Sequence, residues 1–458
     1  MAIVSTIFST LGNSQSLIPL AIKDCANGLG ATAGSAVTSK EEAKDRFIDE
    51  FGSEAIWLGG IPLYKAGINK LFKAMNYDSK YDVRNLANPE IYKKTLEHAP
   101  TEQIKQGIER IGQNSKTFKN LNIARFAVST ALALGTYNVL TDLKQKYTEN
   151  RIRTKLIKEQ EEQSRIKMNT QANLEEAKDK NFESMAHIRN HETNDKTNTS
   201  FKGLQSFMLD PVKNMFIMDA GITSQRLVKS RSPQECVGYA IKEAGFLYFM
   251  YVLGKKVQNH FENVADKKHN KSIALDAKVL ENDAFKESFR NGSVVKDLER
   301  FAAADTGDTA LYDFIKAETD KGAAKQATNG VIDAATQSDI IQTYKKPKKW
   351  YQIFKKAEDT KLLDTRKYID LKEVRQTHGN ISKLYSQFEQ SGQTVDEFFK
   401  GVRKLKRGSI MKNMGSTIFA LGVVLPGLML ADRFLRGDNK EFAVEKRIKD
   451  ELNNKPVA

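Results

Sequence analysis

The feature of this sequence that most constrains its fold is an uncharged run near its C-terminal end. The run Asn413–Ala431 reads NMGSTIFALGVVLPGLMLA and lies between Lys412 and Asp432. As an α-helix it would be about 28 Å long, close to the ~30 Å thickness of a bilayer core. Pro426 and the glycines in the run are tolerated in membrane helices and are unfavourable in water-soluble ones. We therefore expect this run to be the principal membrane element.

Three other apolar segments are shorter. Phe126–Thr141 would reach about 24 Å as a helix, whereas Ala55–Tyr64 and Phe246–Leu253 reach about half a span. The longer segment is predicted to touch or cross a bilayer, and the two short ones to insert at the interface or as re-entrant pieces. Basic residues flank the C-terminal run on both sides, so the positive-inside rule does not fix an orientation.

Outside these segments the chain is polar and rich in helix-forming residues. Of its 458 residues 28% are charged and only nine are proline. Alternating runs of β-branched residues are hard to find, so the chain is predicted to be mostly α-helical. The negative mean hydropathy argues against a polytopic transporter filled with apolar helices. The N-terminal stretch MAIVSTIFSTLGNSQ lacks a basic start and a long apolar core, so we expect no cleavable signal peptide.

One pattern occurs twice, because Asn27–Gly52 aligns with Ala220–Gly245 without a gap. In each copy a serine that can cap a helix is followed three residues later by glutamate and, after the apolar positions, by a closing glycine. The expected inward faces also correspond. They are Ala43, Phe47, Ile48 and Phe51 in the first copy, and Cys236, Ala240, Ile241 and Ala244 in the second. The alternative is that any two well-capped amphipathic helices look alike.

The sequence thus predicts two pseudo-repeated halves. Each has a capped amphipathic helix, a short apolar segment, a polar helical insert and a longer apolar helix that can enter a membrane. The first half is residues 1–141 with an insert at about 72–121, and the second is 204–458 with an insert at about 255–412 and the apolar segment 413–431. Residues 142–203 are predicted to be a charged helix followed by a polar linker.

No motif indicates a catalytic, cofactor or metal site. Gly28–Ala33 matches a dinucleotide-binding fingerprint but lacks the parallel strand that this site requires, so a small-residue turn or a close-packed helix is favoured. Glu183, His187 and His191 are spaced to share one helix face, yet their order is not that of a zinc helix and solvated surface is favoured. We therefore predict no cofactor, no metal and no catalytic residue, and an enzyme is the least favoured class.

The densest basic stretch is Tyr344–Lys356, which reads YKKPKKWYQIFKK. Its lysines would attract anionic headgroups and its aromatic rings could enter the membrane interface. The same composition could stack on single-stranded nucleic acid, or form an amphipathic helix whose rings face a core. The residues predicted to contact an anionic surface are Lys345, Lys346, Lys348, Lys349, Trp350, Tyr351, Phe354, Lys355 and Lys356.

The net charge of +15 suits either anionic lipid or nucleic acid. Because apolar segments occur elsewhere in the chain, we favour lipid. The sequence predicts a membrane-associated, integral or re-entrant helical protein that acts as a non-catalytic scaffold or interaction module, with an anionic bilayer as its partner. The alternative is a soluble helical protein that binds nucleic acid through a basic face. The sequence does not identify protein partners.

Overall fold

Helices form most of the computed structural model, as the composition predicts. It describes residues 2–453 except 14–15, 87, 172–210, 305–311, 318, 320–333, 335–339, 346–358 and 437–441. The helices before the first long gap are α1 (Ala2–Leu11), α2 (Ile18–Thr38), α3 (Lys40–Ala55), α4 (Ile61–Ala74), α5 (Pro89–Glu97), α6 (Glu102–Gln113) and α7 (Ser115–Gln171), with a 3-10 turn at Val83–Leu86.

The helices after that gap are α8 (Pro211–Val228), α9 (Pro233–Leu247), α10 (Gly254–His269), α11 (Ala277–Leu280), α12 (Asp283–Arg290), α13 (Ser293–Ala304), α14 (Leu371–Ser391), α15 (Val395–Phe419), α16 (Leu425–Arg436) and α17 (Ala443–Asn453). Two antiparallel strands, β1 (Ile341–Lys345) and β2 (Asp359–Leu363), lie between α13 and α14. The second insert is therefore not wholly helical. Ile341 and Leu363 pair in the hairpin and are both buried in the core of this insert, where apolar side chains suit a half-buried strand.

Three pairs of helices are joined by π-helical turns rather than by loops. The turns are Ile56–Gly60 between α3 and α4, Tyr248–Leu253 between α9 and α10, and Ala420–Val424 between α15 and α16. The short apolar segment Phe246–Leu253 is therefore not a separate half-span. It lies within a helix that runs from Pro233 to His269 and is long enough to cross a bilayer.

Three helices of the described chain are long and apolar enough to span a membrane: Ser115–Arg165, Pro233–His269 and Val395–Arg436. The first contains Phe126–Thr141 and the third contains Asn413–Ala431, the two longer runs singled out in the sequence. Only 17%, 28% and 39% of their most apolar 18-residue windows are buried within the protein. Most residues of these windows are thus half-buried or exposed.

The predicted N-caps are present, but the predicted C-caps are wrong. Ser39 accepts a hydrogen bond from the backbone of Glu41, and Ser232 accepts one from the backbone of Glu235. Gly52 and Gly245, in contrast, lie inside α3 and α9 and do not end them. At each glycine the absence of a side chain leaves room for a leucine of a later helix.

The two glycine contacts are alike in the two halves. A Cβ placed on Gly52 would lie 2.4 Å from Leu140 Cδ2 of α7, and one on Gly245 would lie 2.4 Å from Leu425 Cδ1 of α16. Both helices also lead into a π turn. These parallels are compatible with an internal duplication, which stays a prediction. The division at residues 141 and 142 also stays a prediction, and α7 runs through it without a break.

The predicted inward faces of α3 and α9 are wrong. Phe47 is 48% exposed and Ala240 and Ala244 are exposed, whereas Asp49 and Lys242 are buried. Both helices are amphipathic as predicted, but their orientation is reversed. The charged side chains face inward because oppositely charged groups from neighbouring helices meet them there.

The central parts of the two inserts pack against each other, and we call the described residues within 75–114 and 270–394 the head. The backbone N–H of Asp82 donates to the carbonyl of Arg366 (2.8 Å), and Lys94 Nζ lies 2.9 Å from Asp313 Oδ2. Burial raises the pKa of Asp313, but hydrogen bonds from His98 and Lys94 outweigh it and hold that pKa below its ordinary value. The head joins chain segments that are far apart in sequence.

Candidate functional site: a buried charge network and a polar cleft

A cluster of ionisable side chains occupies the interior between α3, α7, α8 and α9. We call it the charge network, and every member is at least nine-tenths buried. Its members are Asp45, Asp49, Glu50, Lys144, Arg226, Lys242 and Glu243. Removing this many charges from solvent is costly unless they are paired and hydrogen-bonded. Each member therefore needs an oppositely charged partner within the cluster.

Arg226 of α8 lies at the centre of the network. Its Nη1 is 2.5 Å from Glu243 Oε1, its Nη2 is 3.2 Å from Glu50 Oε2, and its Nε is 3.0 Å from Asp49 Oδ2. Lys242 Nζ lies 2.8 Å from both Glu50 and Glu243. One guanidinium and one ammonium thus hold three carboxylates from two different helices.

The network extends from this centre toward one end of the bundle. Lys144 Nζ lies 3.2 Å from Asp49 Oδ1 and 3.4 Å from Asp45 Oδ2. Thr148 donates a hydrogen bond to Asp45 (2.8 Å), and Arg231 Nη2 lies 2.9 Å from the same carboxylate. With Arg231 included, the carboxylates and the basic groups are equal in number.

The network ends at a polar cleft of about 590 Å³. The cleft lies between the N-terminal ends of α3 and α9 and the C-terminal end of α16, and α17 forms its outer wall. It is lined by Glu42, Asp45, Arg46, Ser232, Gln234, Glu235, Gly238, Asp432, Arg433, Arg436, Phe442, Ala443, Lys446, Arg447, Asp450 and Glu451. Asp45 belongs to both the network and the cleft and therefore connects them.

Most of the carboxylates in the cleft already have basic partners. Glu42 accepts hydrogen bonds from Arg433, and Arg436 Nε donates to Asp432 (3.0 Å). Glu235 Oε1 lies 2.6 Å from Arg231 Nη2. The acidic lining is thus largely neutralised by side chains of the protein itself.

The structure places the residues predicted from the sequence in different parts of the chain. Lys345 lies at the end of β1. The other predicted contacts, Lys346, Lys348, Lys349, Trp350, Tyr351, Phe354, Lys355 and Lys356, lie outside the described residues, as do Glu183, His187 and His191. Among the residues that are described, no group of three or more His, Cys, Asp or Glu side chains could hold a metal ion.

The glycine-rich fingerprint is part of a helix. Gly28–Ala33 lies within α2, where a Cβ on Gly30 would be 2.6 Å from the backbone oxygen of Gly422. The glycines therefore allow two helix backbones to approach closely. They do not form a phosphate-binding loop in this structure.

The charge network itself was missed by sequence reasoning. A signal was present, because Glu42, Asp45, Asp49 and Ser53 recur at three- and four-residue intervals along α3 and therefore share one face. Such a stripe is more often typical of a solvated face. Its basic partners come from three other helices. The spacing of residues along α3 cannot show which other helices pack against it.

Comparison with protein-family models, curated proteins and solved structures found no match for this chain.

Proposed function

We propose that this chain is an integral membrane protein that acts as a non-catalytic helical scaffold or interaction module. The observation that carries this proposal is the distribution of charged and apolar residues in the bundle. Its interior contains the charge network, whereas most residues in the most apolar stretches of its three long helices are not buried. A water-soluble domain buries apolar surface and exposes charge. A protein in lipid keeps its ionisable groups in the bundle interior, paired with one another.

The outward apolar surface is continuous along individual helices. On α7 the exposed large side chains Val128, Leu132, Val139 and Leu143 follow helical spacing and lie on one face. Phe419, Val423, Val424 and Leu428 are likewise exposed where α15 passes into α16. Exposed apolar surface of this extent is typical of membrane or protein contacts.

The head supports the scaffold part of the proposal. It is assembled from both inserts, so it holds two distant parts of the chain together beside the bundle. The basic segment Tyr344–Lys356 belongs to the second insert, and we propose that it contacts anionic lipid. This contact would give the protein a second attachment to membrane besides its helices.

Alkaline extraction tests membrane insertion. The full-length protein expressed in cells should remain in the membrane pellet after carbonate treatment. Val424→Arg should move a substantial fraction to the supernatant, because an arginine near the centre of a membrane helix costs about 2.5–3.5 kcal/mol on insertion scales. Val424→Leu changes the same outward-facing side chain without adding a charge and should stay in the pellet.

Release of the unmodified protein by carbonate would refute integral insertion. A nucleic-acid-dependent shift in sedimentation of that released protein would favour the soluble alternative. If the Val424→Arg variant stays as firmly in the pellet as the Val424→Leu variant, the assignment of Asn413–Ala431 as the principal membrane element is wrong.

A further inference from the structure

Another cavity, of about 510 Å³, lies between the first turns of α2 and α10 and the second half of α15. We call it the lysine pocket, because Lys23, Lys255 and Lys406 line it. The uncharged run in the sequence separates it from the polar cleft. Asn413, the first residue of that run, lines the lysine pocket, and Asp432, directly after the run, lines the cleft. The two cavities therefore lie at opposite ends of the bundle.

The ammonium of Lys23 is buried at this pocket without a partner. Lys23 is only 7% exposed, and its Nζ forms no hydrogen bond or ion pair within the described part of the chain. A Cβ placed on Gly254 would lie 3.4 Å from this Nζ and 3.2 Å from Asn413 Oδ1, and all three residues line the pocket. The Nζ therefore lies at the pocket wall, and it is not sealed from solvent. Because a buried ammonium is costly unless it is paired, the pocket presents a positive charge that the protein does not neutralise.

The other charged groups of the lining do not compensate this charge. Lys406 Nζ donates to a backbone carbonyl (2.8 Å) and lies 3.5 Å from Glu262 Oε1. Asp276 is the one carboxylate that lines the pocket among the described residues, and it accepts a hydrogen bond from the backbone N–H of Lys278 (2.9 Å). Lys255 is exposed. Even with Glu262 included, three lysines meet two carboxylates here, so positive charge is in excess.

Apolar side chains line much of the remaining wall. They include Leu11, Leu20, Met250, Ile410 and Met414. Methionine is unbranched and flexible, so it adapts to ligands of different shape. The volume of the pocket falls within the range of about 300–1,000 Å³ typical of small-molecule sites. Such a pocket suits a molecule that has a charged head and an apolar body.

We propose that the lysine pocket binds an amphiphile with a single negative charge, whose head pairs with Lys23 and whose acyl chain lies along the apolar lining. One unpaired ammonium is neutralised by one negative charge, which a carboxylate or a phosphodiester supplies. Either head accepts a charge-assisted hydrogen bond from the Nζ, and this is the contact that the protein itself does not provide.

The lysine pocket lies where two apolar stretches of the chain end. Gly254 directly follows Phe246–Leu253, and Asn413 begins Asn413–Ala431. If the helices that contain these stretches span a bilayer, the pocket is level with the lipid headgroups. A free fatty acid and an acidic phospholipid are then the two sources of the ligand. This placement rests on the membrane insertion proposed above, whereas the pairing with Lys23 does not.

Protection of Lys23 from reductive methylation tests the site. The purified full-length protein in a non-ionic detergent is treated with formaldehyde and cyanoborohydride, and methylation of each lysine is followed by mass spectrometry. The anionic probes are octanoate and dihexanoyl phosphatidylglycerol. Their controls without net charge are octanamide and dihexanoyl phosphatidylcholine. Lys296, exposed on α13 in the head, is the internal reference and should react equally in every sample.

An anionic probe present at about ten times its dissociation constant should slow methylation of Lys23 about tenfold, because only the unbound fraction reacts. Its control without net charge should leave the rate nearly unchanged. Protection by octanoate identifies a fatty acid as a ligand. Protection by phosphatidylglycerol without protection by octanoate identifies an acidic phospholipid.

A variant shows whether Lys23 is responsible for binding. Lys23→Met removes the charge, and it should weaken binding of the protecting probe at least about tenfold, as expected for loss of a hydrogen bond between charged groups. The probe should therefore raise the thermal unfolding midpoint of the unmodified protein and not that of Lys23→Met. Without any probe, Lys23→Met should itself raise the midpoint, because no buried charge is left unpaired. Lys404→Met changes an exposed lysine of α15 outside the lining and is the matched control.

The proposal is overturned if neither anionic probe protects Lys23, or if the control without net charge protects it equally. It is also overturned if the protecting probe raises the midpoint of Lys23→Met as much as that of the unmodified protein. Protection is measured on the unmodified protein, so it tests the site even if Lys23→Met does not fold. The assay needs no bilayer, so release of the protein by carbonate would refute integral insertion and leave protection of Lys23 as support for the pocket.

Discussion

At the scale of single residues, the charge network stabilises the bundle only as a complete set. Arg226 holds Asp49, Glu50 and Glu243, which come from α3 and α9 while Arg226 lies on α8. A buried ion pair gains little over a well-packed apolar pair, but removing one partner leaves charges that are buried and uncompensated. We infer that the network specifies which helices meet and in which register.

Arg226→Gln is predicted to destabilise the protein by about 3–5 kcal/mol, because three carboxylates lose their shared cation. The midpoint of thermal unfolding in detergent measures this change. Arg153→Gln breaks an exposed ion pair with Glu451 (2.7 Å) and should change the midpoint little. Equal midpoints for the two variants would mean that the network does not hold the bundle together.

At the scale of helices, the backbone of α2 lies close to the π turn between α15 and α16. A Cβ on Gly30 would lie 2.6 Å from the oxygen and 2.8 Å from the Cα of Gly422. These are backbone atoms, which cannot rotate away as a side chain can. Any side chain at position 30 must therefore separate the two helices.

Gly30→Ala is predicted to lower stability by about 1–3 kcal/mol, the usual cost of overpacking a tight interface. Gly415→Ala adds the same methyl group on α15, where a Cβ would meet nothing within 4 Å, and should be neutral or slightly stabilising because alanine favours helix. Thermal unfolding of the two variants checks this. A loss of stability in the Gly415 variant as large as in the Gly30 variant would contradict the packing argument.

The helices themselves were predictable from sequence, whereas the direction in which they face was not. Caps at Ser39 and Ser232 marked the starts of α3 and α9, and the long uncharged run lies within the helix Val395–Arg436. Periodicity shows that a helix has two faces, but it does not show which one is inside, and in lipid the usual assignment is reversed. The π turns were also unpredictable, because each adds a residue to a helical turn without a distinctive local signal.

At the scale of the whole molecule, the head and the bundle are expected to act as two attachments to membrane. The bundle is described by the structure, whereas most of Tyr344–Lys356 lies outside the described residues. The sequence predicted a polar helical insert there, and the structure shows that the flanking residues form the hairpin β1–β2. The lipid contact of the basic segment stays a prediction.

Protein held in nanodiscs is predicted to recruit added anionic vesicles and not neutral ones. Salt should weaken this recruitment, because the screening length falls from about 8 Å at physiological ionic strength to about 3 Å at 1 M. Changing Lys345, Lys346, Lys348 and Lys349 to Gln should abolish most of the lipid preference, and Trp350→Ala should lower affinity without changing the salt dependence. Cosedimentation measures all of these effects.

The matched control for this experiment changes four exposed lysines elsewhere in the head, Lys80, Lys93, Lys296 and Lys372, to Gln. This control removes the same net charge from the protein. Recruitment that falls equally in both quadruple variants would assign the effect to overall charge rather than to the basic segment.

The length of α7 fixes the distance between the parts of the protein that pack against its two ends. Phe118 near its start is buried in the core of the first insert, and Ile152 is buried against α17 beside the cleft. The stretch between them spans about 51 Å along a helix, more than the ~30 Å of a bilayer core. In a membrane the head and the cleft would therefore face different compartments.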